Sequence, residues 1–158
     1  MFTSVASTST APDGSLNPLW IADRFRRLFE HNGVGSLDDL FNLRATEVLS
    51  KPTLPSWRER LAIDLEDGSG GSSRFYVKRF TRPPWGEQVR RILSGHAWRS
   101  TAGVERFWIE SLSANGVPVP EVAAFAEQRT GIREHRSAIV LAEVPGQSLE
   151  RWVVEHPS

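Results

Sequence analysis

The sequence predicts an α+β fold: an antiparallel sheet of about five strands, one helix packed on it, and a helical extension in front. Three observations predict it. Two strand-like runs flank the Gly/Ser-rich stretch 68–73 in "RERLAIDLEDGSGGSSRFYVKRF". The stretch "TAGVERFWIESLSANG" ends at Gly116 and the breaker "VPVP", which predicts a helix over about 101–115. Two more strand-like runs in "EVAAFAEQRTGIREHRSAIVLAEV" surround a polar turn at Thr130–Gly131.

Composition narrows the class. A chain of 158 residues holds one domain with a modest core. Lysine plus arginine and aspartate plus glutamate number 19 each, so no global field draws it towards nucleic acid or an anionic surface. The absence of cysteine excludes disulfides and thiolate metal sites and suits a reducing compartment. No apolar run reaches the length of a spanning helix. The opening "MFTSVASTSTAPDGS" lacks the basic and apolar regions of a secretory signal. A soluble cytoplasmic domain is the expectation.

The elements follow in order. Residues 1–16 read as a disordered tail, too small and polar to bury anything. Residues 17–43 form the helical extension. In "NPLWIADRFRRLFEHNG", Asn17 caps, Pro18 suits the first helical position, and Ile21, Phe25, Leu28 and Phe29 make one apolar face before the stop at Gly33. That face packs on its own domain in the simpler reading and docks a partner or membrane surface in the other. Ser36 caps a shorter helix through "LDDLFNL". Residues 45–50 are counted as a first strand. The hairpin around 68–73 reads as a loose one. The stretch 79–100 is read as a connection interrupted by Pro83, Pro84, Gly86 and Gly95. The order β–β–β–α–β–β then closes on a breaker at Pro145–Gly146 and a helix in "SLERWVVEH".

One charge stands out. Lys78 sits within "FYVKRF" and shares a strand face with Tyr76 and Phe80, while Phe75 and Val77 point the other way. On the following helix Glu105, Trp108, Ile109 and Leu112 fall at i, i+3, i+4 and i+7. That places a carboxylate on the stripe expected to face the sheet. Buried alone it would cost several kcal/mol, of order 3–5, so Lys78 is its natural partner. The alternative has Glu105 at the stripe's margin, reaching water as Arg106 and Glu110 do.

This arrangement resembles the N-lobe of a protein kinase, with lysine on the third strand, glutamate on the next helix, two more strands, then a breaker and a helix. "VLAEVPGQSLERWV" is similar to the fifth strand and hinge. More narrowly, "FYVKRF", the Arg/Pro/Trp-containing insert after it, "ERFWIESLSANGVPVPEVAAFAE" and "LWIADRFRRLFEHNGVGSLDDLF" resemble the bacterial lipopolysaccharide kinase family, the Kdo and heptose kinases (WaaP/InaA-like). The resemblance implies a kinase-like N-lobe over 44–144 and a hinge with the start of a truncated C-lobe helix over 145–158. It implies that Lys78 holds the α- and β-phosphates of ATP and that Glu105 holds Lys78. Main-chain groups of Ala142 and Val144 would bind the adenine edge, with Leu141 bordering its pocket. Relatives of full length transfer phosphate from ATP, with magnesium, to core sugars at the inner face of the cytoplasmic membrane.

Three departures qualify that picture. The place of the glycine-rich phosphate loop, "LSKPTLPSWRERL", has prolines and no glycine. Tyr76 replaces the small residue expected two positions before the lysine. The catalytic aspartate and the metal ligands belong to a C-lobe absent from this sequence, so no metal-binding residues are assigned and the chain alone is not expected to be active. The expectation is therefore an incomplete family member. The alternatives are a pseudokinase-like interaction module, self-associating through an uncovered apolar flank, or a truncated gene product.

The insert "KRFTRPPWGEQVRRILSGHAWRS" combines six Lys/Arg with two tryptophans. It is read either as a grip on phosphorylated core sugars or an anionic bilayer, or as a solvated connection with its tryptophans packed back. Nucleic acid is not expected. The four histidines read as solvent-facing or structural, His31 and His156 at helix ends, His96 and His135 in loops or turns.

Overall fold

The computed structural model describes residues 19–49 and 53–144. The expected tail at 1–16, the Asn17–Pro18 cap, and the hinge turn, closing helix and His156 within 145–158 lie outside the described residues. The rest forms one antiparallel sheet of six strands in the order β1-β5-β6-β4-β3-β2. The strands are β1 (Leu19–Ile21), β2 (Glu47–Val48), β3 (Arg58–Glu66), β4 (Ser72–Thr81), β5 (Val122–Thr130) and β6 (Arg133–Ala142). Helices α1 (Arg26–His31) and α2 (Leu37–Asn42) precede β2, and α3 (Trp85–Leu93) and α4 (Thr101–Ala114) link β4 to β5.

The sixth strand corrects the sequence reading of 17–33 as one helix. Leu19–Ile21 pairs with the edge of β5, Trp20 opposite Phe125, and a 3-10 turn over Asp23–Phe25 leads into α1. Helical periodicity reports which side chains go inwards, and Phe25 and Phe29 do so. It is blind to an edge strand whose free N–H and C=O groups offer three residues a ladder. The expected strand at 45–50 is shorter than thought, Glu47–Val48 paired with β3.

The sheet is covered on both faces. Phe75 and Val77 of β4 point with Leu61, Ile63 and Leu65 of β3 and Val140 of β6 towards Phe25, Phe29, Val34, Leu37 and Leu40. Phe75 meets Phe25 and Phe29 edge-on at 5.3 and 5.5 Å, a favoured aromatic geometry. The front helices thus pack on their own domain. Ser36 caps α2 as expected, accepting from the Asp39 amide at 3.1 Å. Arg79 is buried beneath the other end of α2, donating to the carbonyls of Leu40 and Leu43 at 3.0 and 2.8 Å, where a cation satisfies orphan carbonyls and opposes the helix dipole. On the opposite face Phe80, Val122, Ile139 and Leu141 pack with Ala102 of α4, and Ile109, Phe125 and Trp57 close the cluster.

Two connections are more ordered than expected. The β3–β4 turn is tight: the Asp67 carboxylate accepts from the Ser69 amide at 2.8 Å, the Ser69 hydroxyl at 2.7 Å and the Gly71 amide at 3.0 Å. Gly68 within it has φ +77, and a Cβ there would meet the His31 ring at 3.0 Å, so a side chain at this position would be strained. In the 79–100 stretch, the prolines and glycines are the punctuation of a helix: Pro84 stands at the N-cap of α3 and Gly95, φ +80, follows its end. His135 lies in β6, not in a loop, with Nε2 at 2.8 Å from the Thr130 hydroxyl.

Candidate functional site

The helix α4 is fixed at its start by polar contacts to β6. Ser100 caps it, its hydroxyl accepting from the Gly103 amide at 3.0 Å. The amide and hydroxyl of Thr101 both donate to Glu134 at 2.8 Å, and the Ala102 amide donates to Ser137 at 3.3 Å. Glu134 also accepts from Arg91 of α3 at 2.5 Å and from the Ser137 hydroxyl at 2.6 Å. With every oxygen engaged, this buried carboxylate meets the requirement for burying charge. The sequence reading did not single out Arg91 or Glu134. Gln88 and Arg91 stand three apart on α3, and a polar pair at helical spacing was the available signal.

This anchoring sets Glu105 one turn further along, over β4, where its carboxylate pairs with the Lys78 ammonium. Each side chain is about a quarter exposed, 25% and 24%. The pair is therefore neither deeply buried nor solvated at the margin, and lies between the two sequence readings. The expected stripe needs correction. Ile109 faces the sheet cluster, whereas Trp108 and Leu112 are 53% and 43% exposed. Ala102 and Ile109, seven apart, are the seam. Trp108 stacks edge-on with Phe107 at 5.3 Å, and Arg99 lies over Phe107 at 4.3 Å.

Register defines the surroundings of Lys78. It stands opposite Ile139 of β6 and Arg60 of β3. Tyr76 stands opposite Leu141 and Phe80 opposite Arg58, so all share the α4 face. Cross-strand partners on one face have Cβ atoms roughly 4.5–5.5 Å apart. The Arg58 guanidinium lies against the rings of Trp57 and Phe80 at 5.3 and 5.5 Å, and its Nε is buried with no hydrogen-bond partner. Arg58 and Arg60 were missed from sequence, although their period-2 spacing matches that of Tyr76, Lys78 and Phe80 across the hairpin.

The far end of this face is acidic. The Tyr76 hydroxyl donates to Glu143 at 3.3 Å, and burial together with the Glu143 charge pushes its ionisation above the ordinary phenol value. Leu141 is buried beside it. The Ala142 and Glu143 amides are committed to Glu121 and Arg74 carbonyls at 2.9 and 3.1 Å, and Val144 is exposed at the end of the described residues. Two concavities of about 210 and 490 Å³ border α4, and neither is lined by Lys78 or Glu105. Among the described residues no three His, Asp or Glu side chains cluster as a metal site, and no helix is long and apolar enough to cross a membrane.

No family model matches the chain, and no curated protein matches it. Among solved structures it is similar to WaaP in complex with acyl carrier protein, with a TM-score of 0.50 and 19% identity. The match covers 89% of this chain and 48% of that one, so the chain spans about half the length of the structure it resembles. Such a likeness speaks for the fold. The molecule has a kinase-like α+β fold, with six strands in place of about five.

Proposed function

We propose that this chain is the nucleotide-side lobe of a lipopolysaccharide-kinase-like phosphotransferase, and that the Lys78–Glu105 pair is its phosphate anchor. The observation that supports this reading most is the pairing of the β4 lysine with the α4 glutamate. Phosphoryl transfer depends on positioning and charge neutralisation, and a carboxylate that holds an ammonium in place delivers a compact cation at reduced entropic cost. ATP would lie with its phosphates against Lys78 and its base towards Leu141, Ala142 and Val144.

The residues present fit a polyphosphate. Arg58 and Arg60 share the Lys78 face, and a buried Nε without a partner suits an incoming acceptor oxygen. Both arginines belong to the stretch "LSKPTLPSWRERL", where the resemblance expects the glycine-rich loop, and they would contact phosphate in its place. Magnesium is a different matter: the described residues gather no ligand set for it. Core sugars of lipopolysaccharide would be the phosphate acceptors.

Thermal unfolding with and without Mg-ATP tests the reading. An ATP-dependent rise in Tm that Lys78→Ala abolishes is the expected outcome, since a ligand stabilises according to its occupancy. A second reading, a protein-interaction module, is favoured by the exposed Trp108, Leu112 and Val117 and by the similar structure being a complex with acyl carrier protein. Unchanged Tm with ATP, together with binding of acyl carrier protein or self-association lost in Trp108→Ser, would favour that module.

A further inference from the structure

Helix α3 is turned inside out. Its polar residues Gln88 and Arg91 are 3% and 8% exposed, while Trp85, Val89 and Leu93 are 58%, 47% and 81% exposed. These three fall at i, i+4 and i+8, a single stripe along the helix. Trp98, just beyond, is 70% exposed. The tryptophans do not pack back onto the lobe, as one reading of this insert expected.

The orientation is built into the fold. The Gln88 amide group donates to the Pro83 carbonyl at 2.9 Å and its oxygen accepts from the Glu134 amide at 3.1 Å. Arg91 pairs with Glu134 and donates to the Ile132 carbonyl at 3.3 Å. Rolling the helix to hide Leu93 would break all four contacts and strand a buried carboxylate. An apolar stripe held outwards by buried polar bonds marks an interaction surface.

We propose that the α3 face docks on an anionic lipid bilayer. Charge complementarity selects this occupant. Arg82, Arg90 and Arg99 belong to the same segment, Arg133 lies over Trp85 at 5.6 Å, and the segment's one acid, Glu87, is paired with Arg90. Guanidinium groups flanking an apolar stripe attract acidic headgroups, and tryptophan suits the boundary between headgroup and acyl chain. A nine-residue helix, about 13 Å long, would lie flat with Trp85, Val89, Leu93 and Trp98 in the boundary. This docking does not depend on nucleotide binding.

Co-sedimentation with vesicles of phosphatidylcholine, with and without phosphatidylglycerol, tests it. The chain should partition onto the anionic vesicles, release at high salt, and shift its tryptophan emission to the blue. Val89→Asp with Leu93→Asp should reduce partitioning about tenfold or more, and Arg90→Gln about fivefold. Both sets of positions are exposed, and an unchanged Tm confirms that the variants fold; Val89→Ser with Leu93→Ser replaces the aspartate pair should it unfold. Equal binding to neutral vesicles, no binding at all, or binding unaffected by these substitutions would overturn the proposal. So would a dimer in solution that Leu93→Asp dissociates, because a second copy would then cover the stripe.

Discussion

Arg91 of α3 and Glu134 of β6 meet at 2.5 Å with side chains 7% and 0% exposed, and this buried pair governs where Glu105 stands. Glu134 binds the first amide of α4 through Thr101, so the helix that carries Glu105 is registered to the strand beside Lys78. The geometry of the candidate site thus depends on two residues remote from any ligand.

Arg91→Ala should destabilise the fold by about 3–5 kcal/mol, because it leaves a buried carboxylate without its cation. A urea unfolding midpoint measures this. The pair between Arg106 and Glu110, at 2.6 Å, provides the contrast, because its carboxylate is 55% exposed: Glu110→Ala should cost less than about 1 kcal/mol. Arg106 itself, expected to reach water, lies instead over the Trp20 ring at 4.0 Å.

Arg58→Gln should weaken ATP more than adenosine. The side chain keeps its place beside Trp57 and Phe80 but loses the charge that would meet phosphate. A loss of about tenfold in ATP affinity, with adenosine unchanged, corresponds to one charge-assisted hydrogen bond. Equal losses for both ligands would place Arg58 away from the phosphates.

The β3–β4 turn carries a pH dependence. Hydrogen bonds from Ser69 hold the Asp67 carboxyl below its ordinary range, and the Arg74 guanidinium does the same for Asp64, 2.9 Å away. Folded values below unfolded ones mean stability that is present above about pH 4 and lost as pH falls through the carboxylate range. Asp67→Asn should therefore flatten the dependence of Tm on pH below about 4, while leaving the curve near neutrality parallel to that of the wild type.

The sequence showed the hairpins, α4 with its stop at Gly116, and the Ser36 cap of α2 plainly, because alternation, glycine stops and serine caps are local signals. The Lys78–Glu105 pairing was legible for a related reason: a carboxylate placed towards a sheet needs a cation, and the period of β4 aimed one at the same layer. Three features were not legible. Leu19–Ile21 became a strand through an edge supplied by residues a hundred positions away. Trp108 and Leu112 were assigned to the core because helical spacing gives a direction but not the width of the seam. Helix α3 defeated the reading most completely: its apolar stripe faces water, and the buried Gln88 and Arg91 only make sense beside Glu134.

A double-mutant cycle on ATP affinity probes the central claim most directly. Lys78→Met, Glu105→Gln and the double variant should each bind ATP at least about tenfold more weakly than the wild type, with the double variant no worse than Lys78→Met alone. Losses that simply add, or ATP binding indifferent to Lys78, would contradict the account.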